Sequence, residues 1–228
     1  MNLHEGHRQR LKDRFIRNGL SGFEDHNILE LLLFFSVPRN DTNEIGHRLL
    51  QRFGSISNVF DAPVEELCKV EGIGMHSAVL IKLIPELCSI YNIDKTENIE
   101  IVNTTNAAGR FFVPRFMGKN DEEVHVLLLD DKKKIIKSEM ISKGTVNASA
   151  VSVRKIVSLA VNSNATGVIL AHNHPGGVAL PSSNDIVVTK RIYTALKLME
   201  INLCDHIIVA GDDFVSMQDS GIFADFDY

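Results

Sequence analysis

Cysteines are few in this chain of 228 residues, and their arrangement excludes a disulfide-stabilised protein. Cys68, Cys88 and Cys204 are odd in number, lie far apart, and form no Cys-x-x-Cys pair. Small secreted domains that depend on disulfides carry an even set of cysteines at short spacings. We therefore expect reduced thiols in an intracellular protein.

The chain also lacks an apolar stretch long enough to cross a membrane. Its strongest apolar run, residues 29–37, is interrupted by Glu30, whereas a transmembrane helix needs about 20 apolar residues. The amino-terminal residues MNLHEGHRQRLKDRF are charged and lack the apolar core of a signal peptide. These absences predict a soluble, cytoplasmic protein without a membrane partner.

An excess of positive charge is missing as well. The formal net charge is -5, so the chain has no basic field that would attract nucleic acid at long range. Hydrophobic residues make up 44% and charged residues 23% of the chain, which is ordinary for a globular protein with a sizeable core. The length fits one large domain or two small ones.

The pattern of apolar residues divides the chain into two parts. Up to about residue 90, apolar residues recur at helical spacing, and glycine or proline separates the helical segments. A polar segment, NIDKTENIE at residues 92–100, then interrupts this pattern. We interpret it as a linker between a small all-α domain, residues 1–94, and a second domain, residues 101–228.

Strands alternate with helices in the second part. Strand patterns lie at residues 124–129, 134–140, 167–171 and 203–210, and helical patterns lie at residues 151–161 and 183–200. This alternation predicts an α/β layered core. The run from Gly167 to Ala171 is wholly apolar, as expected of a strand that is buried on both faces.

A group of potential metal ligands follows this buried strand. His172 and His174 are two residues apart, so an extended backbone points both imidazoles to one side. Pro175 ends the strand, two glycines allow a tight turn, and Asp185 lies in the first turn of the next helix. Two histidines, a carboxylate and a water form the ligand set of a catalytic zinc site, where the metal lowers the pKa of the water to about 7.

The same residues also have a purely structural interpretation. Ser182 and Asp185 have the spacing of a capping box, in which two side chains satisfy backbone N–H groups at the start of a helix. Histidines at strand ends are often simply hydrogen-bonded core residues. The combination of His-x-His-Pro, a glycine loop and Ser-x-x-Asp directly after an apolar strand nevertheless favours the metal site.

These motifs resemble the JAB/JAMM metal-binding signature, in which a glutamate precedes His-x-His-Pro and Ser-x-x-Asp. Over nearly its full length the chain also resembles bacterial RadC-type proteins. The similarity is carried by Gly6-His7-Arg8, Asp41-Thr42, Gly72-Ile73-Gly74, Gly144-Thr145-Val146, residues 171–175, residues 181–185 and Asp205-His206.

The resemblance implies a JAB/JAMM fold, an α/β domain similar to cytidine deaminases with a mixed, partly antiparallel sheet. It also implies a zinc metallopeptidase with a glutamate as general base and a serine that stabilises the oxyanion. The serine corresponds to Ser182. The glutamate corresponds to Glu122 or Glu123, and Glu122 is preferred because the family places it eight residues before the aspartate that ends the strand, here Asp130.

A second motif lies in the first part of the chain. Gly72-Ile73-Gly74, between two helical segments, has the pattern of a helix-hairpin-helix, whose turn brings backbone N–H groups close to a phosphate. A glycine turn between two packed helices is the simpler interpretation. Residues 1–94 hold 10 Lys and Arg against 13 Asp and Glu, so the prediction of DNA binding rests on the turn and not on charge.

The leading hypothesis is a zinc-dependent hydrolase that cleaves peptide, isopeptide or other amide bonds in a peptide or protein substrate. The cofactor is Zn2+, held by His172, His174 and Asp185, with Glu122 and Ser182 as catalytic residues. The alternative is a DNA-associated module, linked to DNA repair or recombination, in which the JAB domain is a scaffold or a metal-dependent nuclease.

Overall fold

The computed structural model describes residues 3–38, 40–96, 99–144 and 151–226. Thr145 and Val146, which belong to one of the matching motifs, lie outside these ranges. The chain divides into two compact units, residues 1–87 and 88–228, which are described separately below. Within the described ranges, no helix combines the length and apolar character needed to cross a membrane.

The first unit is helical, as the sequence predicts. Its core is formed by buried residues of several short helices, among them Leu29, Leu33, Leu49, Leu67 and Ile81. The helices are α1 (Leu3–Asn18), α2 (Asp25–Leu33), α3 (Thr42–Phe53), α4 (Ile56–Asp61), α5 (Val64–Leu67) and the beginning of α6 (Met75–Thr96).

The amino-terminal motif has a structural role in this unit. Glu30 of α2 is buried, and its carboxylate pairs with Nε2 of His7 at 2.8 Å and accepts a hydrogen bond from Asn43 at 2.8 Å. Arg8 donates hydrogen bonds to the main-chain oxygens of Val37 and Asn40. These contacts join α1 to α2 and α3. They also stabilise the unit, because a buried carboxylate is stable only when its oxygens have partners.

Helix α6 continues through the first half of the predicted linker, from Asn92 to Thr96. A helix end that is exposed to solvent can form without an apolar face of its own. A cation–ring contact stabilises this one, because the ammonium of Lys95 lies 4.4 Å from the ring centroid of Tyr91, one turn earlier. The limit between the compact units falls inside α6, between Leu87 and Cys88. The domain limits 1–94 and 101–228 stay a prediction.

The second unit contains a five-stranded sheet in the order β2-β1-β3-β4-β5. Strands β3 and β4 are parallel, whereas the other three neighbouring pairs are antiparallel, which confirms the predicted mixed sheet. The strands are β1 (Glu123–Leu129), β2 (Ile135–Lys143), β3 (Gly167–Asn173), β4 (Asn202–Ala210) and β5 (Asp213–Ser216).

Helices cover both faces of this sheet. One face packs against α8 (Val153–Asn162), α9 (Ser183–Lys197) and a 3-10 turn (Ile222–Phe226), and the other packs against α7 (Thr105–Phe116). The central strand β3 shows the division clearly, because Val168 and Leu170 belong to the first core whereas Ile169 and Ala171 belong to the second. Every residue of β3 is buried, as its apolar sequence predicts.

Helix α7 and strand β5 are not indicated by the sequence patterns. Helix α7 contains Gly109 and Pro114, which disfavour helix, and several aromatic and β-branched residues. Its start is fixed by Thr104, whose hydroxyl accepts a hydrogen bond from the N–H of Ala107. Gly109 is required by packing, because a Cβ at this position would overlap the ring of Phe214 in β5.

This contact leads to a stability prediction. Gly109→Ala should destabilise the second unit by up to about 2 kcal/mol, because overpacking costs about 1–3 kcal/mol and the gain in helix propensity offsets about 1 kcal/mol of it. The measurement is hydrogen exchange of the β3 amides, which open only with the core of this unit. In a Phe214→Leu background the same substitution should be neutral or stabilising, and an equal loss in both backgrounds would contradict the packing argument.

Candidate metal centre

The end of strand β3 positions the two histidines. The strand continues through His172 to Asn173, so the backbone stays extended between the two imidazoles. His172 is almost fully buried, at 2% exposure, whereas His174 is partly accessible to solvent. The N–H of His174 donates to the main-chain oxygen of Val209 at 2.8 Å, which holds the end of β3 against β4.

The start of α9 positions the aspartate. Ser182 and Asp185 form the capping box that the sequence predicts: the Ser182 hydroxyl accepts from the N–H of Asp185 at 3.2 Å, and Asp185 Oδ2 accepts from the N–H of Ser182 at 2.8 Å. The Ser182 hydroxyl also donates to Oδ2 at 2.6 Å. Because these bonds fix the Asp185 carboxylate, the structural interpretation and the ligand interpretation are compatible.

The structure brings the three predicted ligands together. Nε2 of His172 lies 2.9 Å from Nε2 of His174 and 3.4 Å from Oδ1 of Asp185, and Nε2 of His174 lies 3.6 Å from Oδ2 of Asp185. All three side chains offer ligand atoms within 4.8 Å of one another. The group can therefore hold a metal ion.

The protonation of His174 follows from its hydrogen bond to the loop. Its Nδ1 lies 3.1 Å from the main-chain oxygen of Val178, and a carbonyl oxygen can only accept. In the neutral imidazole the proton is therefore on Nδ1, and the lone pair of Nε2 points toward His172 and Asp185. This is the tautomer that a metal ligand requires.

The electrostatics of the group favour an ionised aspartate. Burial is the largest influence on Asp185 and raises its pKa, but the hydrogen bond and charge that His172 supplies when it is protonated, together with hydrogen bonds from Ser182, outweigh burial and hold the pKa well below its usual range. Burial lowers the pKa of the neighbouring His206 well below its usual value, and the charge of a protonated His172 lowers it further.

The two candidate glutamates differ in their surroundings. Glu123 is buried, and its carboxylate contacts His125 at 3.2 Å and Lys143 at 3.4 Å. His125 itself packs against Phe116 of α7, on the face of the sheet opposite to α9. Val124 pairs directly with His172, so these two residues share one face of the sheet and Glu123 lies on the other, whereas Glu122 precedes the strand.

Three residues around the centre are not identified by the sequence patterns. The side chain of Asn173 accepts from the N–H of Glu123 at 2.7 Å and donates to the main-chain oxygen of Asp121 at 3.0 Å. His206 is a buried histidine whose partners are His172, at 2.8 Å, and Thr189, at 2.6 Å. The sequence gives no signal for these contacts, because they join residues that lie far apart in the chain.

Comparison with known proteins identifies relatives along almost the entire chain. Residues 102–222 match the family model described as a RadC-like JAB domain, and residues 4–79 match a model described as UPF0758 N-terminal. A UPF0758 protein of Fusobacterium nucleatum subsp. nucleatum is 34% identical over 225 residues, which cover 96% of this chain and 97% of the relative. A UPF0758 protein of Pseudoalteromonas translucida is 34% identical over 214 residues, which cover 94% and 96%.

The geometry predicts the effect of removing either histidine ligand on metal binding. The full chain, incubated with a divalent transition metal and desalted, should retain about one ion, and His172→Ala or His174→Ala should lose most of it because two remaining ligands hold such ions weakly. Metal content by plasma mass spectrometry is the measurement. His76→Ala, in the exposed first turn of α6, is the matched control and should retain the ion. Retention by both ligand variants would contradict the site.

Proposed function

The chain belongs to the family of proteins with a RadC-like JAB domain, and on this basis we propose that it is a zinc-dependent hydrolase of amide bonds in a peptide or protein substrate. The observation that carries the proposal is the convergence of His172, His174 and Asp185 at the end of a central strand. His174 is partly accessible, so a substrate can approach the group from solvent.

Zinc fits the distances between the ligand atoms. Bonds of about 2.0–2.2 Å in a tetrahedral site place neighbouring ligand atoms about 3.3 Å apart. The two Nε2 atoms lie 2.9 Å apart and Nε2 of His172 lies 3.4 Å from Oδ1 of Asp185, so both distances are close to that value, and one ligand atom from each residue lies within 4.8 Å of the others. When bound, zinc would polarise the scissile carbonyl and lower the pKa of a water at its open position.

Glu122 is the proposed general base. It lies directly before β1, where continued alternation of the strand would put its side chain on the face of the histidines, and its main-chain oxygen accepts from the N–H of Gly144 at 2.8 Å. Asn173 bonds the peptide groups on both sides of Glu122. The backbone at this position is therefore held on two sides, which suits a carboxylate that must take a proton from water and return it to the leaving amine.

Ser182 is the proposed donor to the oxyanion. Its side chain is exposed, and its hydroxyl lies within 2.6 Å of Asp185 Oδ2, so the donor is located beside the ligand group. With a cation bound to the Asp185 carboxylate, the hydroxyl would be attracted to that carboxylate less strongly and could donate to the oxyanion of the reacting carbonyl group instead. A donor aimed at developing charge stabilises the transition state more than the substrate.

DNA binding by the first unit is a second candidate function, supported by the turn between α5 and α6. Gly72 has φ +93°, and the main-chain oxygen of Gly74 accepts the first helical hydrogen bond of α6. The free N–H groups at the start of this long helix suit a phosphate. The neighbouring Glu71 is exposed, which disfavours an anion, so we place this function second.

The two glutamates provide the sharpest test of the proposed mechanism. Glu122→Gln should leave zinc bound but reduce hydrolysis of a fluorogenic peptide library by about 100-fold or more, because glutamine cannot accept the proton. Glu123→Gln is the matched control and should be nearly neutral in rate, since its side chain faces α7. Zinc content of each variant separates loss of the base from loss of the metal.

Other outcomes of this comparison would contradict parts of the proposal. If Glu123→Gln is the inactive variant, the assignment of strand faces is wrong although the metal chemistry stands. If the zinc-loaded wild type cleaves no peptide of the library, the proposed peptidase activity itself is contradicted.

Ser182→Ala should lower the rate by about 10-fold or more while zinc stays bound, as expected for loss of an oxyanion donor.

The DNA candidate predicts a charge effect at Gly74, where a side chain would meet open space. Gly74→Asp should abolish salt-dependent binding of duplex DNA by the full chain, because a carboxylate at the turn repels phosphate. Gly74→Asn is the matched control, since asparagine caps a helix as well as aspartate but carries no charge. The measurement is a fluorescence-anisotropy titration at several salt concentrations, and equal binding by both variants would exclude the turn.

A further inference from the structure

A chain of buried side chains extends from His172 away from the candidate metal. Nδ1 of His172 lies 2.8 Å from Nε2 of His206 in β4, and Nδ1 of His206 lies 2.6 Å from the hydroxyl of Thr189 in α9. The same hydroxyl lies 2.5 Å from the main-chain oxygen of Asp185. All three side chains are buried, at 2%, 4% and 0% exposure, so water does not supply alternative partners.

The direction of these hydrogen bonds follows from their distances. Two oxygens at 2.5 Å repel unless a hydrogen lies between them, and the Asp185 carbonyl has none, so Thr189 donates its only hydroxyl proton there. The contact between Thr189 and His206 then needs the proton of His206 Nδ1. With its proton on Nδ1, His206 has a lone pair on Nε2, and this nitrogen, 2.8 Å from Nδ1 of His172, accepts a hydrogen bond from it.

We propose that Thr189 and His206 are positioning residues that keep the proton of His172 on Nδ1 and leave Nε2 free to bind a metal ion. The inference rests on the proposed metal site and extends it to two residues that do not contact the metal. It also gives both histidines the same tautomer by different means, since His174 is fixed by the main-chain oxygen of Val178. Partners of this kind orient a metal-binding imidazole and increase its basicity.

If Thr189 had only a structural role, its loss would change neither the tautomer of His206 nor the affinity for zinc. Threonines in helices often donate to the main-chain oxygen four residues earlier without further consequence. Thr194 in the same helix does so, with its hydroxyl 2.9 Å from the main-chain oxygen of Lys190, on the exposed side of α9. Thr194→Val is therefore the matched control, because it removes the same kind of bond without a histidine.

The test variant is Thr189→Val, which keeps the shape of the side chain but removes the acceptor for His206. His206 should then carry its proton on Nε2 and donate from there to Nδ1 of His172. His172 must then carry its own proton on Nε2, the nitrogen that would bind the metal. Competition with a chromophoric chelator should show zinc binding weakened by about 10- to 100-fold, the usual cost of losing such a partner. Thr189→Ser should restore most of the affinity, and Thr194→Val should bind zinc like the wild type.

A second measurement does not depend on metal binding. Long-range 1H–15N spectra of the metal-free full chain should show His206 protonated on Nδ1 in the wild type and on Nε2 in Thr189→Val. A wild-type His206 protonated on Nε2, or wild-type zinc affinity in Thr189→Val, would overturn the inference. If the wild type binds no zinc at all, the proposed function fails, whereas the tautomer of His206 still tests the hydrogen-bond chain separately.

Discussion

Electron-rich ligand atoms that face one another in a buried place repel unless a cation lies between them. The second unit forces such an arrangement, because Nε2 of His172 lies within 3.4 Å of both Nε2 of His174 and Oδ1 of Asp185. Holding these atoms together requires that each be anchored from behind. Much of the architecture around strand β3 can be understood as that anchoring.

The anchors come from different elements and connect to one another. The capping box fixes Asp185 at the start of α9, and the loop oxygen of Val178 fixes His174. The series of hydrogen bonds from Asp185 through Thr189 and His206 to His172 links α9, β4 and β3. The helix that supplies the carboxylate therefore also influences the protonation of the strand histidine, although the two elements contribute separate ligands.

The sequence predicts the parts of this arrangement that are local. The apolar run of β3, the spacing of His172 and His174, and the Ser-x-x-Asp start of α9 are all contained within short segments, where periodicity and capping rules apply. The contacts of His206 join residues that are 17 and 34 positions apart, and no local pattern encodes them. The sequence does not predict helix α7 for a related reason, since the reason for Gly109 is the ring of Phe214 on a strand that is distant in the chain.

The attachment of the candidate ligands to a strand and a helix that pack in apolar cores has a consequence for how the protein acquires its metal. In a zinc finger the ion is the main source of folding energy, and the metal-free chain unfolds. Here the strand and helix that carry the ligands are secured by apolar cores on both faces of the sheet and by hydrogen bonds that need no ion. Folding and metal loading are thus separate equilibria, so the occupancy of the centre responds to the free metal concentration around a protein that is already folded.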